Sequence, residues 1–144
     1  MKAIGSRENR YCTDVNHSIT KALVEHYGRN TLFVLEDLSN VRSVTKKVFI
    51  KDRYVSASWS YQFRQLLEYK ASMKQSLVIT VPPQYTSQMS PKCGHIDKSN
   101  RNKKLHLFCC KNCGYQSNDN RIGAMNLFKK GLNYIEEHSK EVAE

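Results

Sequence analysis

The chain has 144 residues, 40% of them hydrophobic, with 23 lysines and arginines against 13 aspartates and glutamates, a net charge of +10. That length holds one domain, or one domain with a small module. The basic excess points away from cationic partners and towards a polyanion such as nucleic acid, with plain solvation charge as the bland alternative.

In chain order, the opening stretch "MKAIGSRENRY" has no apolar run, so no export signal is expected there. No run of 18 apolar residues predicts a membrane span. The cysteine count of five is odd and, without an export signal, predicts reduced thiols and a cytoplasmic location. Residues 12–27 predict a helix, with Val15, Ile19, Ala22, Leu23 and His26 as the apolar face, Thr13 or Asp14 as cap and Gly28 as stop. "TLFVLEDL" (31–38) predicts a buried strand ending in two carboxylates. Residues 39–54 predict a loop or a frayed helix start. They carry Arg42, Lys46, Lys47, Lys51 and Arg53, opposed only by Asp52.

Residues 56–75 predict a second helix, with Trp59, Phe63, Leu66, Leu67 and Lys70 on its inner face. "SLVITVPP" (76–83) predicts a strand that the two prolines stop. Residues 84–117 hold four of the five cysteines and a second basic cluster, Lys92, Lys98, Arg101, Lys103, Lys104 and Lys111, opposed only by Asp97. Residues 120–138 predict a last helix with Ile122, Met125, Leu127, Leu132 and Ile135 apolar, capped by Asn118 or Asp119. The order helix, strand, helix, strand, insertion, helix is an α/β layout with two strands parallel across a helical crossover. Two strands make a poor sheet, so further strands are expected from elsewhere.

The knuckle region raises a metal question. Two C-x-x-C pairs at this separation would be a strong zinc signal. Sixteen residues separate Cys93 from Cys110, and Gly94 and Gly114 follow the two knuckles. The first pair, however, reads Ser90-x-x-Cys93, and a serine hydroxyl does not ionise at neutral pH. Cys93, Cys110 and Cys113 remain, with Cys109, His95, His106 or water open as the fourth ligand. The competing reading is an empty, loosely ordered hairpin with free thiols. At the end of the first strand, Glu36 and Asp37 point to opposite faces. A strand-end carboxylate is where α/β folds place catalytic groups, and an ordinary strand-end acid reads the same. "SNDNRIGAMN" offers one carboxylate, Asp119, whose natural role is a helix cap.

Taken together, "VLEDL", "YTSQ…SPKCGH", "FCCKNCGY" and "SNDNRIGAMNL" resemble the C-terminal half of the TnpB/OrfB insertion-sequence family, related to the miniature type V CRISPR effectors. The resemblance covers the chain from about Arg7 to Tyr134. It implies a partial RNase H-like (RuvC) α/β fold without its first strands: residues 1–83, then a zinc-ribbon-like insertion at 84–117, the final RuvC helix at 118–138 and a tail at 139–144. The family activity is RNA-guided DNA cleavage with divalent metal, Mg²⁺ among them, held by three acids. Carried over, the second acid is Glu36. The third falls on Asn120, a substitution, with Asp119 a doubtful replacement one residue away and about 100° round the helix. The ribbon ligands fall on Cys93, Cys110 and Cys113, with Ser90 at the lost ligand position. The first acid is expected upstream of Met1. The partners implied are DNA and guide-type RNA, contacted by Arg42, Lys46, Lys47, Lys51, Arg53, Lys98, Arg101, Lys103 and Lys104, and no membrane. A missing first acid, a substituted third and a lost ribbon ligand predict a truncated transposon-encoded protein, inactive as this chain. The alternatives are a nuclease-dead nucleic-acid-binding regulator, or one half of a nuclease that an upstream polypeptide completes.

Overall fold

Two helices and two strands build the first part of the molecule: α1 (Lys2–Tyr27), β1 (Leu32–Glu36), α2 (Lys51–Met73) and β2 (Leu77–Val81). The structure is a computed structural model and describes residues 2–39 and 51–141. Arg42, Lys46 and Lys47 lie outside the described residues, while Lys51 and Arg53 fall in α2. The chain divides into two units, Met1–Thr80 and Val81–Glu144.

In the first unit, Val24, Leu67 and Ala71 form the core, with Phe33, Leu35, Phe63 and Val78 packed on it. Gly28 ends α1 as expected. Its φ is +72°, which glycine adopts without strain, and its N–H bonds Val24 O at 3.1 Å. The inner face of α1 differs from the expected stripe. Ile19, Ala22 and His26 are exposed, and Thr20 and Val24 are buried instead. The reason is polar complementarity with α2. Gln62 Nε2 donates to Thr13 Oγ1 (3.1 Å), Asn16 Nδ2 donates to Gln62 Oε1 (3.0 Å), and Lys70 Nζ donates to Thr20 Oγ1 (2.8 Å) and His17 O (2.7 Å). These bonds satisfy groups that would otherwise be costly to bury.

β1 and β2 form a two-stranded sheet. Leu77 N–H bonds Thr31 O at 2.9 Å, and Ser76 Oγ both accepts from Thr31 N–H (3.2 Å) and donates to Gly28 O (3.0 Å). Joining the starts of both strands is the arrangement that a parallel pair requires.

The second unit holds a 3₁₀ turn (Lys98–Asn100), three short strands, β3 (Arg101–Asn102), β4 (Leu107–Cys109) and β5 (Gln116–Asn118), and the helix α3 (Asp119–Glu141). The strands pair antiparallel in the order β3-β4-β5. Phe108, Cys110 and Ile122 form its core, flanked by Tyr115. Leu132 and Ile135, expected on the inner stripe of α3, are exposed together with Phe128. Asn126 is buried in their stead. Its Nδ2 donates to Thr86 O (2.7 Å) and Met89 O (2.9 Å) and ties the segment before the first knuckle to the helix. Lys130 Nζ bonds Pro82 O (2.5 Å) and Gln84 O (3.2 Å), and Lys129 Nζ bonds Pro91 O. Both lysines thus serve the fold through backbone carbonyls.

Candidate metal centre and nuclease positions

Each knuckle is a tight turn closed by a glycine. At the first, Ser90 N–H bonds His95 O and Gly94 N–H bonds Ser90 O, both at 2.9 Å. At the second, Cys110 N–H bonds Tyr115 O and Gly114 N–H bonds Cys110 O, also at 2.9 Å. Gly94 has φ +76° and Gly114 φ +70°, so each turn needs the left-handed backbone that glycine supplies. The two turns bring Cys93, Cys110 and Cys113 together, with all three sulfurs within 4.8 Å of one another and Cys93 Sγ 3.5 Å from Cys110 Sγ. Zinc–sulfur bonds of about 2.3 Å in a tetrahedron put neighbouring sulfurs about 3.8 Å apart. The donor set therefore fits a thiophilic ion of that size.

Ser90 lies beside this cluster. Its side chain is fully buried and its Oγ lies 3.5 Å from Cys113 Sγ. Its Oγ also accepts from the N–H groups of Lys92 (3.4 Å) and Cys93 (3.5 Å), the contacts a knuckle makes to its leading ligand. Of the other fourth ligands considered, His95 Nδ1 stands 4.0 Å from Cys110 Sγ. Cys109 accepts from Gln116 Nε2 at 3.6 Å, and His106 lies beside Asp119. The Ser90 hydroxyl, then the His95 backbone N–H, Asn112 and Cys113, draw Cys93 down to about 6. Burial raises Cys110, but N–H groups of Cys113 and Asn112 outweigh it and leave that thiol below its usual value.

The mapped nuclease positions fall in both units. Glu36 is the last residue of β1 and half-buried. Its neighbour Asp37 accepts Ser39 N–H at 3.0 Å. That hydrogen bond lowers the Asp37 carboxyl. Asn120 is exposed in the first turn of α3. The cap of that helix is Asn118, whose Oδ1 accepts the N–H groups of Asn120 (2.9 Å) and Arg121 (3.4 Å).

Asp119 has another role, one that its position alone did not reveal. Its side chain is wholly buried. Arg101 Nε donates to Oδ2 at 2.7 Å, and His106 Nδ1 stands 3.3 Å from Oδ1. Burial pushes its carboxyl up, yet the Arg101 guanidinium, then His106, bring it below the ordinary value. Arg101 also donates to Ser87 Oγ at 3.1 Å. The guanidinium expected to meet phosphate is thus committed to a carboxylate and a hydroxyl of its own unit. Lys92, Lys98, Lys103, Lys104 and Lys111 are exposed.

Residues 61–127 match the family model of the Cas12f1-like TNB domain. The chain is 37% identical over 115 residues to the CRISPR-associated endodeoxyribonuclease Cas12f1 of Sulfoacidibacillus thermotolerans, covering 78% of this chain and 25% of that protein. It is 34% identical over 131 residues to the TnpB-like protein MJ1635 of Methanocaldococcus jannaschii, covering 91% of this chain and 29% of that one. The fold is that of a chain in the cryo-EM structure of a Cas12f1–sgRNA–target DNA complex, with a TM-score of 0.64 at 19% identity over 88% of this chain and 36% of that chain. The chain belongs to the TnpB/OrfB family that includes Cas12f1. It spans 25–29% of the length of these two relatives. Among the described residues, no helix is long and apolar enough to cross a membrane.

Proposed function

We propose that this chain is a RuvC-and-ribbon segment of a TnpB-type protein that holds zinc on Cys93, Cys110 and Cys113, binds DNA or RNA through exposed lysines, and does not cleave DNA with its own residues. The names of its relatives support the nucleic-acid reading. The observation that carries the inactivity is the burial of Asp119 in its pair with Arg101. A carboxylate so engaged does not bind a catalytic cation, and Asn120 offers a neutral amide oxygen. Of the two mapped acid positions, Glu36 keeps a carboxylate and Asn120 does not. In-line phosphodiester hydrolysis uses cations at both the attacking and the leaving oxygen, and Mg²⁺ sheds its waters only to strong anionic ligands. One mapped carboxylate is too few.

The test is cleavage of a labelled target with Mg²⁺ or Mn²⁺ and a guide RNA from a related element. No cutting is expected. Asn120→Asp alone should not restore it, because Glu36 and the new aspartate make two carboxylates where the family uses three. Metal-dependent cutting by the unmodified chain that vanishes in Glu36→Ala would overturn the reading. A second reading, a nuclease completed by another polypeptide, draws support from the two-stranded β1–β2 sheet, which is too small to stand alone. It expects Asn120→Asp to cut when a RuvC segment bearing the first aspartate is co-expressed.

A further inference from the structure

Tyr85 is held where a tyrosine is uncomfortable. Its φ is +62°, a left-handed backbone that strains a bulky side chain and that glycine or asparagine adopts more readily. The surroundings over-determine this conformation. Tyr85 O accepts the N–H groups of Gln88 (3.1 Å) and Met89 (2.9 Å). The buried Thr86 donates its hydroxyl to Pro83 O (3.0 Å), and its carbonyl accepts Asn126 Nδ2 (2.7 Å). Lys130 holds the carbonyls of Pro82 and Gln84. For all this anchoring, the ring is 54% exposed. The fold fixes the backbone and leaves the aromatic face towards solvent. Strain maintained at an exposed side chain points to use rather than packing.

The exposed cations of the same unit suggest what meets that ring. Lys92, Lys98, Lys103 and Lys104 are exposed in the same unit. An exposed aromatic ring in a unit that also exposes lysines matches unpaired bases stacked on a protein ring while cations follow the phosphates. Bases within a duplex already stack on each other and offer no free face. We infer that Tyr85 is a stacking platform for an unpaired nucleobase of single-stranded DNA or RNA, an inference that rests on the nucleic-acid-binding reading above.

The experiment measures binding of the full chain to fluorescent single-stranded DNA, single-stranded RNA and duplex DNA by anisotropy, at several salt concentrations, beside melting temperatures. Tyr85→Leu and Tyr85→Gly should weaken single-strand binding about tenfold, and duplex binding far less. The salt slope should not change, because no phosphate contact is lost. Tyr85→Phe should bind like the unmodified chain. Lys103→Ala with Lys104→Ala should instead flatten the salt slope. Tyr85→Gly should melt no lower than the unmodified chain, since the left-handed strain is relieved. The preferred strand, DNA or RNA, identifies the source of the base. Normal salt-dependent binding with Tyr85→Leu as tight as the unmodified chain overturns the stacking inference alone. A lower melting temperature in Tyr85→Gly with unchanged affinity also overturns it, by assigning the ring to packing. No binding by the unmodified chain at any salt removes the nucleic-acid reading, and this inference with it.

Discussion

Ser90 carries the question of the ribbon. Its departure from the C-x-x-C pattern is plain in the sequence, because thiolate pairs and their glycines leave a spacing that needs no fold to be read. Less plain is that the serine stays beside the sulfurs. Its hydroxyl lies 3.5 Å from Cys113 Sγ and takes the backbone N–H groups that close the turn. The knuckle thus retains its shape with a weak donor in place of a strong one. Ser90→Cys should bind zinc at least about tenfold more tightly, a gain of about 1.4 kcal/mol or more, measured by competition with a chromophoric chelator. Cobalt-loaded Ser90→Cys should also show stronger sulfur-to-metal charge transfer, as four thiolates replace three. Equal affinity in both proteins would show that a good fourth ligand is already in place, with the His95 ring the nearest. Because Cys93 is drawn down to about 6, protons should compete with the metal at this ligand only as the pH falls through that value.

At the level of elements, what the sequence revealed depended on how each element buries itself. The core of α2 was legible because Phe63 and Leu67 follow the helix period, and β1 showed as a short apolar run, though it is half-buried rather than buried. The inner face of α1 was not, because hydrogen bonds to Gln62 and Lys70 select Thr13, Asn16 and Thr20 for it, and hydrophobic periodicity is blind to such choices. The start of α1 at Lys2 was missed for a related reason, since residues 7–11 are exposed and carry no apolar signal. Strands of two or three residues such as β3, β4 and β5 are too short for alternation to show. The Arg101–Asp119 pair, which staples β3 to α3, spans 18 positions and left no local trace. Its consequence is a pH dependence. The Asp119 carboxyl is lower in the folded state than in the unfolded chain, so its contribution is complete above about pH 4 and is lost as the pH falls further. Arg101→Ala should destabilise the second unit by about 3 kcal/mol, because it leaves a buried charge without its partner. It should also abolish the part of the acid-side loss due to Asp119. Denaturant melts from pH 7 down to 2 read both effects. An identical acid limb in the variant would show that the pair carries no linkage.

At the scale of the whole molecule, the two units rest on different physics. The first has an apolar core of Val24, Leu67 and Ala71 under two long helices, with helix–helix hydrogen bonds as its polar complement. The second has a smaller core, Phe108, Cys110 and Ile122, and one of those three residues is itself a member of the thiolate cluster. Small modules with so little apolar burial commonly draw their folding free energy from the metal. Removing zinc should therefore act on one unit and spare the other. In hydrogen exchange, the chelated protein should lose amide protection at Gly94, Cys110 and Gly114, whose N–H bonds close the knuckles, and at Phe108 in β4. Amides around Val24 and Leu67 should keep their protection. Added zinc should restore the lost protection with one metal per chain, and Cys113→Ser should behave like the chelated protein at any zinc level. Protection lost in both units at once would mean that they fold as one cooperative body. Protection lost in neither would mean that the ribbon stands on Phe108, Ile122 and the Asn126 hydrogen bonds without a metal.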